Sequence, residues 1–483
     1  MVNSRLRSRL SIIILVFVIL IVIVTVGSFK FHLFDSKLQS GTYSDFQDVH
    51  ASDRILIFVP HPDDESLGTS GIIREALEKN ATILLVFMTD GDAYTPDFLQ
   101  QFLKQTNQTG FKGNIGELRH LEAVNATRDL GLNDSQVIFL GYPDAGLKNL
   151  FEDNWDYDHL FKGSKGSNLF DHSPYNFSYE KNAPYCGANV DKNVEQIMTN
   201  FKPNMIFYPD DGDDHSDHWA TSAFVRYAAV QTNYTGSTYC YLVHKGFQWP
   251  QPALYAPDAE LLPPTELLNL DATWMILPLS KTDENLKAKA INAHKSQLFT
   301  TKNYLESFIR TDEIYSYYPV IEIEKLGNNS PDPLNMPKSS FKDVKSDKKT
   351  KLLQQPGDLT SAGLAYTNNN MYLYLESSSM QNNLVYNFHL KIFNGKDFKR
   401  IDVTVKNGKA QYELKANNSI KSNETPEVSI NNNVMRVKLP LSLFNGTKYV
   451  LMSTDVSDTT GSNIDIMALR VFKFPNIIKY NII

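Results

Sequence analysis

The sequence predicts a chain of three parts: an N-terminal transmembrane helix, an α/β domain with a Rossmann-like, mostly parallel sheet and flanking helices, and a C-terminal all-β domain of the sandwich type. Three observations predict it. Arg5, Arg7 and Arg9 precede an apolar run from Leu10 to Val26, broken only by Ser11 and Thr25; this is the pattern of an uncleaved signal-anchor with its N-terminus in the cytoplasm, with a cleaved signal peptide and a secreted chain as the alternative. From about residue 53, apolar runs of strand length alternate with helical stretches, the βαβ pattern of a parallel sheet. Beyond about residue 350 the chain reads as strands separated in part by Asn-Gly turns.

The 483 residues are too many for one ordinary core. Residues 1–27 form the anchor and 28–52 a polar tether. The α/β domain spans 53–325, a linker rich in Asn, Ser, Pro, Asp and Lys spans 326–350, and the β domain spans 351–483. The net charge of −7, with no long Lys/Arg run, argues against a general nucleic-acid binder. Cys186 and Cys240 are too few for a disulfide framework or a Cys-based zinc site; one disulfide and two free thiols both fit. Asn-x-Ser/Thr sequons, among them Asn80 and Asn445, agree with a catalytic part outside the cytoplasm.

The α/β domain opens with a buried strand at 55–59, and a helix follows at 69–79. A second strand at 81–88 ends in Thr89-Asp90-Gly91-Asp92. A polar insertion, 93–114, leads to a helix from Glu117 to Leu130, for which Gly131 is a fitting C-cap. The third strand, 137–140, ends in Gly141-Tyr142-Pro143-Asp144-Ala145-Gly146. Residues 148–189 read as a long loop or lid rather than core. A helix at 190–201 leads to a fourth strand, 204–208, and a helix at 219–230 follows. Residues 239–243 and 273–277 are further strands, and 286–299 a helix. In the β domain, 371–375, 384–392, 434–439 and 449–452 read as strands.

Two polar clusters sit at strand ends, where open α/β sheets bind their ligands. His61-Pro62-Asp63-Asp64-Glu65 follows the first strand, and Asp210-Asp211-Gly212-Asp213-Asp214-His215-Ser216-Asp217-His218 follows the fourth. A zinc hydrolase site needs three N or O ligands, an open position, a carboxylate off the metal as base, and a group facing the developing oxyanion. His61, Asp64 and His218 can supply the ligands and leave Asp63 free as the base. His215 can act as electrophile or general acid, with Asp217 available to orient it or another histidine. Other divalent metals also suit a His2Asp set. The run Asp210 to Asp214 is compatible with calcium as well, though it lacks the spacing and closing Glu of an EF-hand loop.

With both clusters in hand, residues of about 53–310 resemble the PIG-L/LmbE-like family of zinc-dependent N-acetylglucosaminyl deacetylases. The family signatures are an HPDDE stretch after the first strand and a later HxDH, matched here by His61 to Glu65 and by His215 to His218. The loop at 141–146 and Ala293-His294-Lys295-Ser296-Gln297 are similar to further parts of that family. The resemblance implies His61, Asp64 and His218 as zinc ligands and Asp63 as the base. It implies His215 as the group that steadies the tetrahedral intermediate or protonates the leaving amine. Arg119 and Asp144 fall where members hold substrate polar groups. Glu65 is expected to anchor its loop, and His294 and Gln297 to pack or support it. Asp213 stands where some members place a tyrosine beside the oxyanion, with Tyr208 as a stand-in.

The function so implied is removal of the N-acetyl group from an N-acetylglucosamine-type sugar in a glycolipid or surface glycan, at a membrane-anchored, extracytoplasmic site. The alternatives are a cell-surface carbohydrate-binding protein with an idle metal site, or an amidase for another acyl group. The C-terminal domain is a candidate carbohydrate binder.

Overall fold

Arg54–Val59 (β1) is buried because nothing in it is polar after the first residue: Ile55 to Val59 are fully inaccessible. A strand apolar on both faces belongs in the middle of a sheet covered on both sides, and β1 is central. The computed structural model describes residues 43–475 apart from 108–109, 247–248, 328–334, 345–355, 416–418 and 422–424. From Asp45 onward the chain is one compact unit.

The first half builds an α/β layer structure. After β1 come helices α1 (Asp64–Gly68) and α2 (Ser70–Glu78), then β2 (Thr82–Thr89), α3 (Pro96–Gln105), α4 (Ile115–Leu130) and β3 (Val137–Tyr142). Next are α5 (Leu147–Glu152), α6 (Gly187–Phe201), β4 (Met205–Pro209), α7 (Ser216–Gln231) and β5 (Ser237–Tyr241). The half closes with β6 (Thr273–Pro278), α8 (Lys281–Ala293), α9 (Lys295–Glu306) and β7 (Asp312–Tyr317). These strands lie in the order β6-β7-β5-β4-β1-β2-β3. The stretch from β5 to β3 is parallel, and β7 joins antiparallel to both β5 and β6. Strands β1 to β4 therefore all point their C-terminal ends at one rim. Helix α4 starts on a capping box between Asn114 and Glu117 and stops at Gly131, whose φ of 100° supplies the left-handed cap.

Two stretches depart from expectation. The segment 148–189 is not a lid: Tyr175, Ala183, Tyr185 and Cys186 are buried, and Ala183 and Tyr185 join the main core. The helix expected over 286–299 is two helices, α8 and α9, with His294 between them. Cys186 and Cys240 are free thiols.

The second half is a pair of sheets around one core. Strands β8 (Ile321–Glu322), β9 (Glu324–Lys325), β10 (Ser340–Lys342), β11 (Leu359–Tyr366), β12 (Asn370–Ser377), β13 (Val385–Phe393), β14 (Phe398–Lys406) and β15 (Lys409–Lys415) are followed by β16 (Glu427–Asn431), β17 (Val434–Pro440), β18 (Tyr449–Ser457), β19 (Asn463–Ile466) and β20 (Arg470–Lys473). One sheet orders β9-β11-β12-β17-β16, with β10 beside β11; the other includes β15-β14-β13-β18-β20-β8, with β19 beside β18. Leu364, Leu373 and Val437 of the first face Leu390, Val403 and Met452 of the second in one cluster. The turn at Asn407-Gly408, both with positive φ, joins β14 to β15. Strand β10 lies inside the stretch read as linker, so that stretch is partly structured.

The two halves share a wall. Lys391 Nζ is buried among Phe151, Trp155 and Tyr227, 4.3, 4.4 and 5.7 Å from their ring centres. Phe398 stacks on Tyr227 at 3.8 Å.

The membrane-spanning part of the expected fold is corrected. No helix among the described residues is long and apolar enough to cross a membrane. The longest, α4 and α7, have 16 residues and reach about 24 Å, short of a hydrocarbon core of about 30 Å. The run Leu10 to Val26 lies outside the described residues. The single-pass placement and the membrane contact that rested on that helix are withdrawn with it.

Two stability predictions arise here. Lys287 and Glu313 form a wholly buried ion pair at 2.7 Å beneath α2. Lys287→Met leaves the buried Glu313 carboxylate with neutral donors from Ser70, Gly71 and Tyr315 but no cation, and thermal unfolding at pH 7 should show a loss of about 3 kcal/mol. In the sandwich, His389 bridges Asp402 and Asp455 at 2.9 and 2.6 Å. Burial works against its charge, but these two carboxylates override it and raise His389 to about 9. A histidine raised on folding contributes stability that is complete below its unfolded value near 6.5 and disappears as pH climbs through 9. The Tm should therefore fall between pH 6.5 and 9, and His389→Gln should flatten that part of the curve.

Candidate metal and catalytic site

The rim formed by β1, β2, β3, β4 and β5 gathers almost every polar residue singled out above. The first cluster turns sharply off β1. Asp63 has φ 132° and ψ −31°, a backbone state that costs a non-glycine residue about 1–3 kcal/mol and persists only where its surroundings enforce it. They do so here. The Asp63 N–H donates to Glu65 Oε2 at 2.9 Å, and Glu65 Oε1 is held by Ser66 at 2.6 Å and His294 at 2.7 Å. Glu65 thus anchors the loop, and the break between α8 and α9 presents His294 to it. Gln297, on the same turn, accepts from the Tyr94 hydroxyl at 2.8 Å.

His61, Asp64 and His218 meet. Asp64 Oδ2 lies 3.3 Å from His61 Nδ1 and 3.2 Å from His218 Nε2. Donor atoms around a tetrahedral centre with bonds of about 2.0–2.1 Å are about 3.3 Å apart. Both imidazoles are buried, His218 completely. The nitrogens of His218 and Asp64 Oδ1 have no aligned hydrogen-bond partner despite their burial. Buried polar atoms in that state require an explanation, and a cation coordinated by His218 Nε2 and the Asp64 carboxylate supplies one for these two groups, while His218 Nδ1 faces Asp213. The donors cluster in three overlapping sets, each with ligand atoms within 4.8 Å: His61, His215 and His218; Asp64, His218 and His244; His61, Asp144 and Asp217. The residues present fit a divalent metal.

Behind the donors stands a layer of carboxylates. Asp217 Oδ2 lies 3.2 Å from His61 Nε2 and accepts from the Ala145 N–H at 2.6 Å. Asp217 therefore orients His61 rather than His215. Asp144 Oδ1 is also 3.2 Å from His61 Nε2, and its other oxygen takes the Ala93 N–H at 2.7 Å. Asp213 Oδ2 faces His218 Nδ1 at 3.0 Å and accepts the backbone N–H groups of Val243 and His244. Carboxylates that face the far nitrogens of histidines in this way fix ring orientation.

The charge states follow from these contacts. Burial would raise Asp64, but charge and hydrogen bonds from His218 and His61 hold it well below the carboxylate range. Burial would lower His218, but Asp213 and Asp64 raise it to about 9. Asp63 differs: burial dominates, Arg119 offsets only part of it, and the carboxyl rises to about 6. His215 caps α7 and accepts the Asp217 N–H on Nδ1 at 3.2 Å. Burial, and then the neighbouring His61, His218 and His244, push it down to about 2. A neutral ring whose Nδ1 is already an acceptor carries its proton on Nε2.

Arg119 points from α4 into the site. It is 4% exposed, donates to the carbonyls of Gly91 and Pro62, and stands 3.4 Å from Asp63 Oδ2. A Cβ at Gly91 would collide with its guanidinium. Tyr208 is not a stand-in beside the oxyanion, since its hydroxyl is 3.3 Å from Arg226 Nε on α7. The acidic run is not a calcium loop, because each carboxylate has protein donors. Asp210 takes Ser316, Tyr318 and the Gly212 N–H; Asp211 takes Arg226 and Arg470; Asp214 takes Lys245 and the Gly246 N–H.

His244 and the orienting role of Asp213 escaped the sequence reading. His244 follows β5 on the same rim, its ring centre 4.7 Å from that of His218, with Tyr304 Oη 3.3 Å from its Nδ1. A single histidine at a strand end carries a weak signal by itself; the rule that found the two clusters would have flagged it only once β5 was known to lie beside β4.

Among solved structures, the chain is similar to the A40926 pseudoaglycone deacetylase Dbv21, at 15% identity over 55% of this chain and 96% of that one, with a TM-score of 0.35. It is similar to N,N'-diacetylchitobiose deacetylase from Pyrococcus horikoshii at 17% identity, over 56% and 84%, with a TM-score of 0.33. It is also similar to the conserved protein TT1542 from Thermus thermophilus at 19% identity, over 53% and 84%, with a TM-score of 0.31. No curated protein matches it. Residues 56–229, which carry the donors from His61 to His218, match the family model described as PIG-L: GlcNAc-PI de-N-acetylase.

Proposed function

We propose that the protein is a metal-dependent deacetylase that hydrolyses the N-acetyl group of an N-acetylglucosamine-type sugar, carried in a glycolipid or a glycan. The observation that supports this reading is the geometry on one rim: Asp64 Oδ2 lies 3.3 Å from His61 Nδ1 and 3.2 Å from His218 Nε2, with Asp63 and His215 beside them. The family match supports the substrate class.

His61, Asp64 and His218 would hold the metal, zinc by preference for this donor set. When bound, such an ion supplies Lewis-acid polarisation of the amide carbonyl and lowers the pKa of water. The chain's own groups do the rest. Asp63 takes a proton from the attacking water as its oxygen bonds to the acetyl carbon. His215 Nε2–H donates to the carbonyl oxygen as negative charge develops there. Asp63 then returns its proton to the amine nitrogen as the C–N bond breaks, leaving acetate and the free amino sugar. A neutral His215 suits the oxyanion role better than that of general acid. Arg119 steadies Asp63 in its ionised form, and Asp144 at the rim is placed to meet a sugar hydroxyl.

The test is release of free amine from N-acetylglucosamine and N,N'-diacetylchitobiose by the zinc-loaded full chain, with a chelator-treated sample alongside. Amine release that disappears on chelation and returns with zinc is expected. Full zinc occupancy with no amine release from either sugar would overturn the reading.

A further inference from the structure

The two halves meet where α7 and the acidic loop carry His218. Trp219, next to His218, donates its indole N–H to the Met467 carbonyl at 3.3 Å. Two turns on, Arg226 donates to the Leu469 carbonyl and pairs with Asp211 Oδ1 at 2.7 Å. Arg470, the first residue of β20, reaches across from the sandwich and pairs with Asp211 Oδ2. Its guanidinium lies 4.0 Å from the Tyr318 ring centre, and the Tyr318 hydroxyl donates to Asp210 at 3.1 Å. Arg470 and Asp211 are both nearly inaccessible. Two residues beyond Asp211, Asp213 faces His218 Nδ1. A sandwich serving only as an appended sugar-binding module has no need to place a buried arginine in the loop that holds His218.

We propose that Arg470 is a positioning residue for the metal centre, and that the C-terminal domain completes the site by clamping the Asp210–Asp214 loop through Asp211. Two arginines, one from each half, flank Asp211: Arg226 pairs with Oδ1 at 2.7 Å, and the Arg470 guanidinium lies against Oδ2. This rests on the metal-site reading above, and on Asp213 as the group that orients His218. An arginine serves here because its rigid fork spans the distance and stacks on Tyr318, whereas lysine offers a point charge.

The experiment uses the full chain and cobalt(II) as the probe. Dissociation constants and visible d–d spectra are measured for the parent, Arg470→Met and Arg470→Lys, below each protein's Tm. Arg470→Met should weaken cobalt binding at least tenfold and shift the spectrum, with Arg470→Lys falling between. Val437→Ala, a cavity in the sandwich core, should lower the Tm but leave affinity and spectrum unchanged. Parent-like affinity and spectrum in the folded Arg470 variants would overturn the inference, and if Arg470→Met does not fold, Arg470→Lys decides alone. A Val437→Ala variant that loses cobalt as strongly as Arg470→Met would overturn it as well, by showing that lost stability suffices. A parent that binds neither cobalt nor zinc would sink the metal-site reading itself, and this inference with it.

Discussion

Asp63→Asn should reduce deacetylation by about 10²–10⁴-fold while leaving metal binding intact. The amide keeps the size of the carboxylate and its place beside Arg119 but cannot accept the proton of water. Asp63 is not one of the residues whose ligand atoms cluster, so the metal content should stay at the parent level. The protein should also be no less stable. A carboxyl raised to about 6 by burial is a group whose ionised form the fold disfavours. Folding stability from such a group declines as pH rises from its unfolded value near 3.9 through 6, so a neutral amide removes a cost above pH 6. The expected result is an inactive, metal-loaded protein with a Tm at pH 8 equal to or above the parent's. A variant that turns over at the parent rate would show that another group is the base. In the parent, kcat/KM should fall as pH drops through about 6, when Asp63 gains its proton.

The sequence showed the first cluster clearly because its signals are local: five apolar residues, then His61 to Glu65, then a helix. The mostly parallel sheet followed from the alternation of runs, and with it the shared rim of the two clusters. What stayed hidden depends on contacts between distant residues. Asp213 could not be recognised as the partner of His218 until the turn into α7 was known. His244 needed the register of β5 on β4. The sequence offers Asp217 as a group to orient His215 or another histidine, and only the folded chain shows that it meets His61. Asp211 and Arg470 are 259 positions apart, and nothing near Arg470 in sequence suggests a catalytic neighbour. The segment 148–189 misled because its polar composition describes its surface, while Tyr175, Tyr185 and Cys186 face inward. The helix over 286–299 read as continuous because no Gly or Pro interrupts it; His294 breaks it to reach Glu65.

His218→Asn should cost more metal affinity than any other single change at the site. Its imidazole is completely buried and central to two of the three donor sets. Its loss also leaves the Asp64 and Asp213 carboxylates, both held low by its charge, buried without their cation. Zinc affinity should fall at least 100-fold, and apo-protein stability should fall with it, because breaking a buried charge cluster from one side costs about 3–5 kcal/mol. His244→Asn separates two roles for the neighbouring ring. His244 shares a donor set with Asp64 and His218 but also contacts Tyr304. As a group behind the ligands it should cost about 10–100-fold in affinity and leave the stoichiometry at one ion. A loss as large as that of His218→Asn would promote His244 to a ligand and displace His61 from the set. Titration of both variants with zinc against a chromophoric chelator, alongside His61→Asn, ranks the three imidazoles directly. The geometry predicts His218 first, His61 second and His244 last, because Asp64 Oδ2 lies within 3.3 Å of a nitrogen of both His218 and His61, whereas His244 also contacts Tyr304.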